Sequence, residues 1–372
     1  MADKINIAIV GLGFGAEFIP IYQRHPCTNL YAVCQRTESR LNAIGYVFSI
    51  AKRYTNFDDL IHDPEVDAVH INSPIHMHAA QSIAALKAGK HVACTVPMAT
   101  SVEECRQIVE AQEASGKKYM MMETVIYSRE YLYVQELRDS GRLGRLQFLR
   151  AAHHQEMDGW PGYWEGLPPM HYATHVVSPC LALAQKDAET VSCLGSGRIA
   201  DHLIAKYGSP FAVETAHIKM HQSDLVAEVS RSLFETARQY IESFDAYGSR
   251  MSFEWQQLAG DEPVIFFGED GKRVTVPDYA HLLPEPIQQF TTKGVYDADE
   301  HQHLSFIQGS GHGGSHPHLA HQFVMSIIED REPYPNARQA ANWTCVGILA
   351  HESAMKGGMI TKLPAFTLSQ IT

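Results

Sequence analysis

The chain is predicted to fold as a doubly wound parallel α/β domain followed by an α+β domain with a large, mainly antiparallel open sheet. Three observations carry this prediction. Short apolar runs alternate with amphipathic stretches from Ile5 to about Glu123, a glycine-rich turn stands directly behind the first run, and the pattern changes to period-two alternation after about Tyr127. The boundary is placed at residue 125, giving domains 1–125 and 126–372.

In the first domain Ile5–Val10, Leu30–Cys34, Ala68–Asn72, His91–Thr95 and Tyr119–Met122 read as strands. Met77–Ala88 and Val102–Ser115 have helical apolar spacing, and the second opens on Ser101 with Glu104 in capping-box position. Strand and helix alternating at this spacing imply parallel strands joined by crossover helices. In the second domain Leu146–Ala152, Val191–Arg198, Ala212–Met220, Leu225–Phe234, Gln239–Ala246 and Arg250–Trp255 alternate polar and apolar residues, as a half-exposed antiparallel sheet does. His318–Glu329 and Ala337–Lys356 are again helical, while Ala280–Gly314 lacks periodicity and is expected to be a long loop lining a site or a subunit contact. A sheet with one face on its own helices leaves the other to be covered, so a homodimer or homotetramer is expected.

At 372 residues the chain exceeds the usual reach of one hydrophobic core, and its 45% apolar and 19% charged residues are ordinary globular usage. A formal net charge of −12 without a basic stripe argues against nucleic acid and anionic lipid as partners. The seven cysteines are odd in number, scattered and free of C-x-x-C spacing, which reads as reduced thiols and a cytoplasmic setting. The N-terminus lacks the marks of a secretory signal, and no apolar run reaches membrane-spanning length.

The segment from Ile5 to Ala16 places a strand before Gly11-x-Gly13-x-x-Ala16, the context in which a glycine triplet becomes a Rossmann dinucleotide fingerprint. Gly11 permits the tight turn, Gly13 lets the backbone approach a pyrophosphate, and Phe14, Gly15 and Ala16 open the following helix. Where an acidic residue normally bonds the ribose 2′-hydroxyl, the second strand ends in Gln35-Arg36-Thr37. Arg36 could recognise the 2′-phosphate of NADP, or stack on adenine while Gln35 bonds the ribose of NAD.

Asn72-Ser73-Pro74 followed by His78, and Gly89-Lys90-His91-Val92 before Thr95-Val96-Pro97, make the chain resemble the Gfo/Idh/MocA oxidoreductase family over nearly its whole length. The resemblance implies NAD as cofactor, with Asn72, Ser73, Pro74, His78, Thr95, Val96, Pro97 and Glu123 around it. For Glu123 a helix-cap carboxylate is the alternative. It also implies that helix 337–357 packs back on the first domain. Most members carry Glu-Lys-Pro at Thr95-Val96-Pro97, and their lysine polarises the substrate hydroxyl; here it is absent. Met120–Arg129 and Tyr172–Pro179 are similar to segments of glycoside hydrolase family 109, whose members also lack the lysine and hydrolyse glycosides by a redox route on retained NAD.

On this resemblance His175, Tyr172 and His171 are the candidate catalytic residues. The spacing of His171 and His175 puts both on one face if the segment is helical; a packed core histidine is the alternative for each. Trp160, Tyr163 and Trp164 form an aromatic cluster on which sugar rings could stack, with a buried aromatic patch as the alternative, and Tyr127, His171 and His316 are further candidates for contact with a carbohydrate. The 21 histidines include His312, His316, His318 and His321 and the run His153-His154-Gln-Glu156, but no zinc pattern occurs, so no metal is expected. The function implied is a glycosidase that oxidises a ring hydroxyl, at C3, eliminates the aglycone, adds water and re-reduces the ketone. A sugar dehydrogenase that releases the keto-sugar and a non-catalytic nucleotide-binding protein are the alternatives.

Overall fold

The computed structural model describes residues 4–158, 165–236, 238, 240–258, 260–292 and 310–366. The chain divides into two compact units, Met1–Arg129 with Asp278–Ala340, and Glu130–Pro277 with Ala341–Thr372. The division therefore differs from a single cut near residue 125, because a late segment returns to the first unit. The reason is burial. Leu283, Ile287, Phe290, Leu319, Phe323 and Val324 fill the same core as Ile7, Ile9, Phe18 and Ile21, and removing that much apolar surface from water outweighs distance in sequence.

The first unit holds strands β1 Ile5–Val10, β2 Thr28–Cys34, β3 Lys52–Tyr54, β4 Ala68–Ile71, β5 His91–Thr95 and β6 Tyr119–Met122, in the order β3-β2-β1-β4-β5-β6. All pairs are parallel, and this order is that of a Rossmann sheet, with its switch point between β1 and β4. Edge strand β3, only three residues long, is too short to show a period. Helix Val102–Ser115 starts as its capping box requires, the Ser101 hydroxyl accepting from the Glu104 amide at 3.2 Å, and ends at Gly116 with φ of 65°.

The second unit is built on β7 Leu146–Gln155, β8 Ala188–Ser196, β9 Val213–Met220, β10 Val226–Ser232, β11 Tyr240–Gly248, β12 Ser252–Glu254, β13 Val264–Phe267, β14 Asp270–Arg273 and β15 Thr361–Lys362. Their order is β14-β13-β12-β11-β7-β10-β9-β8-β15, antiparallel throughout except for the parallel pair β7 and β10. Along β7 the inward positions Leu149, Ala151, His153 and Gln155 are buried, and the residues between them are exposed or half-buried, as period two demands. Helix Thr174–Ala184 lies among buried residues along its length. Helix Ala337–Met355 begins in the first unit, and from Ala341 onward belongs to the second, where Asn342 bonds both backbone groups of Ala188 at 2.9 and 3.1 Å.

The described parts of 280–314 are not the loop that their sequence suggests. They contain the turns Ala280–Leu282 and Gln289–Thr291, the short helix Glu285–Gln288 and the start of helix Ser310–Ile328, while 293–309 lie outside the described residues. Single helical turns have no period to read. No helix among the described residues is long and apolar enough to cross a membrane.

Phe244 is 1% exposed, stacked on Phe253 at 5.6 Å and tilted against Trp255 at 5.4 Å. Phe244→Ala is expected to cost the second unit about 3–5 kcal/mol. Denaturant unfolding followed by tryptophan fluorescence checks this, since Trp160, Trp164, Trp255 and Trp343 all fall within that unit's sequence range.

Candidate active site

In the first unit the chain leaves β1 at Gly11, whose φ of 83° few side chains adopt. A Cβ there would lie 2.5 Å from the Asn72 carbonyl oxygen and 2.8 Å from the Ser73 amide nitrogen, so the glycine is what allows β1 and β4 to end against each other. At Gly13 nothing lies within 4 Å of a Cβ, which leaves the backbone open to close approach. At Gly15 a Cβ would press on Ile9 at 2.9 Å and on the Asn72 side chain at 3.0 Å. This open glycine cradle, at the switch point of the sheet, fits a dinucleotide pyrophosphate.

The Leu12 peptide is held from both sides: its amide donates to Gln35 Oε1 at 2.9 Å, and its carbonyl accepts from Arg40 at 3.3 Å. Arg36 is exposed beside them. The Thr95 hydroxyl lies 2.8 Å from both the Ile71 carbonyl and Asn72 Oδ1, so β5 ties down the end of β4. Val96 is only 3% exposed, and its bond to Pro97 is cis.

His78 stands 2.7 Å by Nδ1 from the Pro97 carbonyl and 2.8 Å by Nε2 from the Ser73 carbonyl. Two acceptors require both nitrogens to donate. Burial opposes the charge, but Cys94 and the carbonyls of Pro97 and Ser73 hold the imidazole up at about 9. His78 thus braces the Ser73-Pro74 turn, whose serine hydroxyl bonds Gln81. Glu123 is buried and accepts from the Val125 amide at 3.1 Å.

Tyr127 donates its hydroxyl to the Tyr334 carbonyl at 2.6 Å. His316 is fully buried, 3.1 Å by Nδ1 from Glu17 and 5.3 Å between ring centroids from Phe14. Both residues, expected to meet a carbohydrate, are engaged with the first unit's own groups. Trp160, Tyr163 and Trp164 lie outside the described residues.

The second unit separates His171 from His175. Pro169–Tyr172 is a 3₁₀ turn, and helix Thr174–Ala184 starts only after Ala173, so the two imidazoles do not share a helix face. His171 lies 5.6 Å from the His351 ring, and His351 Nδ1 is 2.8 Å from the buried carboxylate of Glu214. Burial, with His351 second, pushes His171 down to about 4.

His175 instead meets Tyr172 edge-on at 5.5 Å between ring centroids and His153 at 5.4 Å. Glu242 Oε1 is 3.4 Å from His153 Nε2 and 3.8 Å from His175 Nε2. Strand register explains the cluster: Glu214 faces Arg231, Arg231 faces His153, and His153 faces Glu242, one transverse row across β9, β10, β7 and β11. Arg231, fully buried, donates to the carbonyls of Tyr172 at 3.0 Å, His153 at 3.0 Å and Ser232 at 2.7 Å, and to Gln155 Oε1 at 2.9 Å. Its guanidinium also sits 5.4 Å from the centre of the Tyr172 ring. The sequence reading missed Arg231 and Glu242; the available signal was charge at inward positions of alternating strands, where apolar residues are the rule. No group of three or more His, Cys, Asp or Glu among the described residues is arranged to hold a metal ion.

The family model described as an oxidoreductase family with an NAD-binding Rossmann fold, Gfo/Idh/MocA, matches residues 5–123. The N-terminal domain belongs to the Gfo/Idh/MocA oxidoreductase family. The chain is accordingly an NAD-dependent enzyme whose residues 5–123 form a Gfo/Idh/MocA-type Rossmann domain. It is 25% identical to a glycosyl hydrolase family 109 protein of Shewanella putrefaciens, covering 98% of this chain and 85% of that one. It is also 26% identical, with the same coverage, to an α-N-acetylgalactosaminidase of Shewanella oneidensis. Among solved structures it is similar to levoglucosan dehydrogenase in complex with NADH and L-sorbose, at a TM-score of 0.78 and 19% identity, covering 98% of this chain and 100% of that one.

Two predictions follow from this geometry. Gly11→Ala forces a side chain into the Asn72 backbone and should cost about 1–3 kcal/mol together with at least tenfold in NAD affinity; calorimetric titration with NAD measures the second effect. His25, His91, His171 and His318 are each held down at about 4, and His70 at about 3, with burial the first cause. The unfolded chain takes up these protons below about 6.5, so the stability they give is present above pH 6.5 and lost as pH falls from 6.5 through 4. His78 acts oppositely, losing its contribution as pH rises from about 6.5 through 9. Denaturation midpoints recorded across this range should fall towards acid more steeply than towards alkali.

Proposed function

We propose that the chain is an NAD-dependent oxidoreductive glycosidase acting on a small glycoside. A ring hydroxyl, at C3, is oxidised; the ketone acidifies the C2 proton; the aglycone leaves C1 by elimination; water adds, and the ketone is reduced again. Bound in the glycine cradle, NAD would accept a hydride from the ring carbon and return it at the end, so that none is consumed. Gly11, Gly13, Gly15, Gln35 and Asn72 shape that cradle, and His78 and Thr95 fix its rim.

The observation that carries the proposal is the Tyr172 and His175 pair, 5.5 Å between ring centroids, in a chain that has Val96 where the resemblance to most Gfo/Idh/MocA members leads one to expect a lysine. Without an ammonium, protons must pass through other groups, and a phenol beside an imidazole supplies two that accept and donate. His175 and Tyr172 therefore handle the protons of oxidation, elimination and water addition. His171, held down at about 4, is neutral near pH 7, and its place beside His351 favours a supporting role over proton transfer. The names of the relatives in glycosyl hydrolase family 109, one an α-N-acetylgalactosaminidase, support a glycoside as substrate. Self-association as a homodimer or homotetramer belongs to the same proposal. The sheet face away from helix Thr174–Ala184 carries half-exposed residues such as Phe148 and Tyr247, and a monomer mass by light scattering at micromolar concentration would remove that part.

A screen of aryl glycosides, N-acetylgalactosaminides included, with NAD added tests the activity. Hydrolysis should proceed without net NADH, and substrate deuterated at C2 should lose its label to solvent, because elimination breaks that bond. Accumulating NADH with the label retained identifies a plain sugar dehydrogenase instead. Denatured pure protein should release NAD, since a redox-neutral cycle retains it. His175→Ala is expected to lower turnover by about a hundredfold or more with folding and NAD binding intact; turnover at the wild-type rate makes His175 a packing residue.

A further inference from the structure

His78 braces two turns of the cofactor cradle, but a brace alone does not need a charge. The residue is 1% exposed and opens helix His78–Lys87, so burial and the positive end of that helix both oppose a cation here. The hydrogen bonds demand one all the same. Nδ1 lies 2.7 Å from the Pro97 carbonyl oxygen and Nε2 2.8 Å from that of Ser73. A carbonyl oxygen only accepts, and a neutral imidazole has a single N–H, so bonding both at these distances takes the imidazolium. Ser73 follows β4 and Pro97 follows β5, at the end of the parallel sheet where a dinucleotide lies across the switch point. In a Rossmann sheet the residue ending the second strand meets the ribose of the adenosine half; here that residue is Gln35. The mononucleotide that carries the nicotinamide is then left to the half built from β4, β5 and β6. We propose that His78 tunes the cofactor: it is a fixed, buried imidazolium beneath the nicotinamide half of the cradle, where its charge favours bound NADH over bound NAD⁺ and so the uptake of hydride.

The nicotinamide ring of NAD⁺ carries a positive charge that hydride uptake cancels, while the rest of the dinucleotide is the same in both forms. A buried cation near that ring therefore raises the energy of bound NAD⁺ more than that of bound NADH, and the ratio of the two affinities reads this effect free of everything the two forms share. The groups acting on the imidazole itself are few. Burial opposes its charge, while Cys94 on β5 and the carbonyls of Pro97 and Ser73 hold it up at about 9. Tyr119 on β6, beside Cys94, is pushed well up by burial and stays protonated. The charge is thus present at neutral pH and lost as pH rises through about 9. This inference needs NAD as the cofactor and not the glycosidase reading, which failure to hydrolyse any glycoside would refute alone.

The test equilibrates the full chain with mixtures of NAD⁺ and NADH and quantifies the nucleotides that remain bound, in the wild type and in His78→Gln, whose neutral amide can still donate to one of the two carbonyls. In the wild type the preference should move towards NAD⁺ by about threefold or more between roughly pH 7.5 and pH 10. In His78→Gln it should already stand at the shifted value at the lower pH and change little with alkali. Nitrogen NMR of the wild type labelled with ¹⁵N-histidine should show both nitrogens of His78 protonated at neutral pH. A His78 with a single N–H there overturns the proposal, and so does a His78→Gln that binds both nucleotides more weakly in the same proportion, which would make the residue a brace only. Should His78→Gln fail to fold, the wild type decides alone: a preference that does not move between the two pH values sinks the idea.

Discussion

A guanidinium sealed inside a sheet sets the terms for the second unit. Arg231 is fully buried, and an arginine there has five N–H groups and a charge that cannot be given up. The chain meets those needs with the carbonyls of Tyr172, His153 and Ser232 and with Gln155 Oε1. The bond to Tyr172 reaches outside the sheet and pins the 3₁₀ turn on which Tyr172 sits. The same turn is held by the Met170 amide, which donates to the buried Glu214 at 3.2 Å. Two neighbouring charges of one transverse row thus fix the segment that leads into His175. Breaking a buried charge network by removing one partner typically costs about 3–5 kcal/mol, so the position of the proposed acid–base groups is tied to the stability of the sheet itself.

The first unit is organised by a different constraint, the close meeting of strand ends. Gly11 brings β1 against the backbone of Asn72 and Ser73, Thr95 reaches back to Ile71 and Asn72, and His78 links Ser73 to Pro97. Each contact joins two of the strands β1, β4 and β5 at the same end of the sheet, the end where parallel α/β sheets bind ligands. His78 acts here on the backbone, by bridging the Ser73 and Pro97 carbonyls. This is how a binding loop is held in one conformation before the ligand arrives.

Distribution of histidine charge separates the two clusters chemically. His171, beside another imidazole and buried, is held neutral down to about 4, whereas His175 faces a carboxylate. Four residues apart in sequence, they occupy different electrostatic settings because the chain changes from 3₁₀ to α geometry between them. Val96 is buried, so on the proposed reading the protons pass through groups of the kind found around His175.

Local pattern determined a good deal by itself. The Rossmann fingerprint, the order of strand and helix in the first unit, the capping box at Ser101 and the change to period two all rest on neighbouring residues, and they stand in the structure as they read in the sequence. Gly11, Gly13 and Gly15 were legible because a tight turn constrains its own residues. What the sequence could not determine was pairing across the sheet. Glu214, Arg231, His153 and Glu242 lie far apart in the chain, and nothing local says that they form one row; strand order and register decide that. The return of Leu283 to Val324 to the first core, and the separation of His171 from His175, were likewise settled by burial and by a single break in helical geometry. Periodicity tells which face of an element is inward, but only tertiary packing tells which other inward faces it will meet.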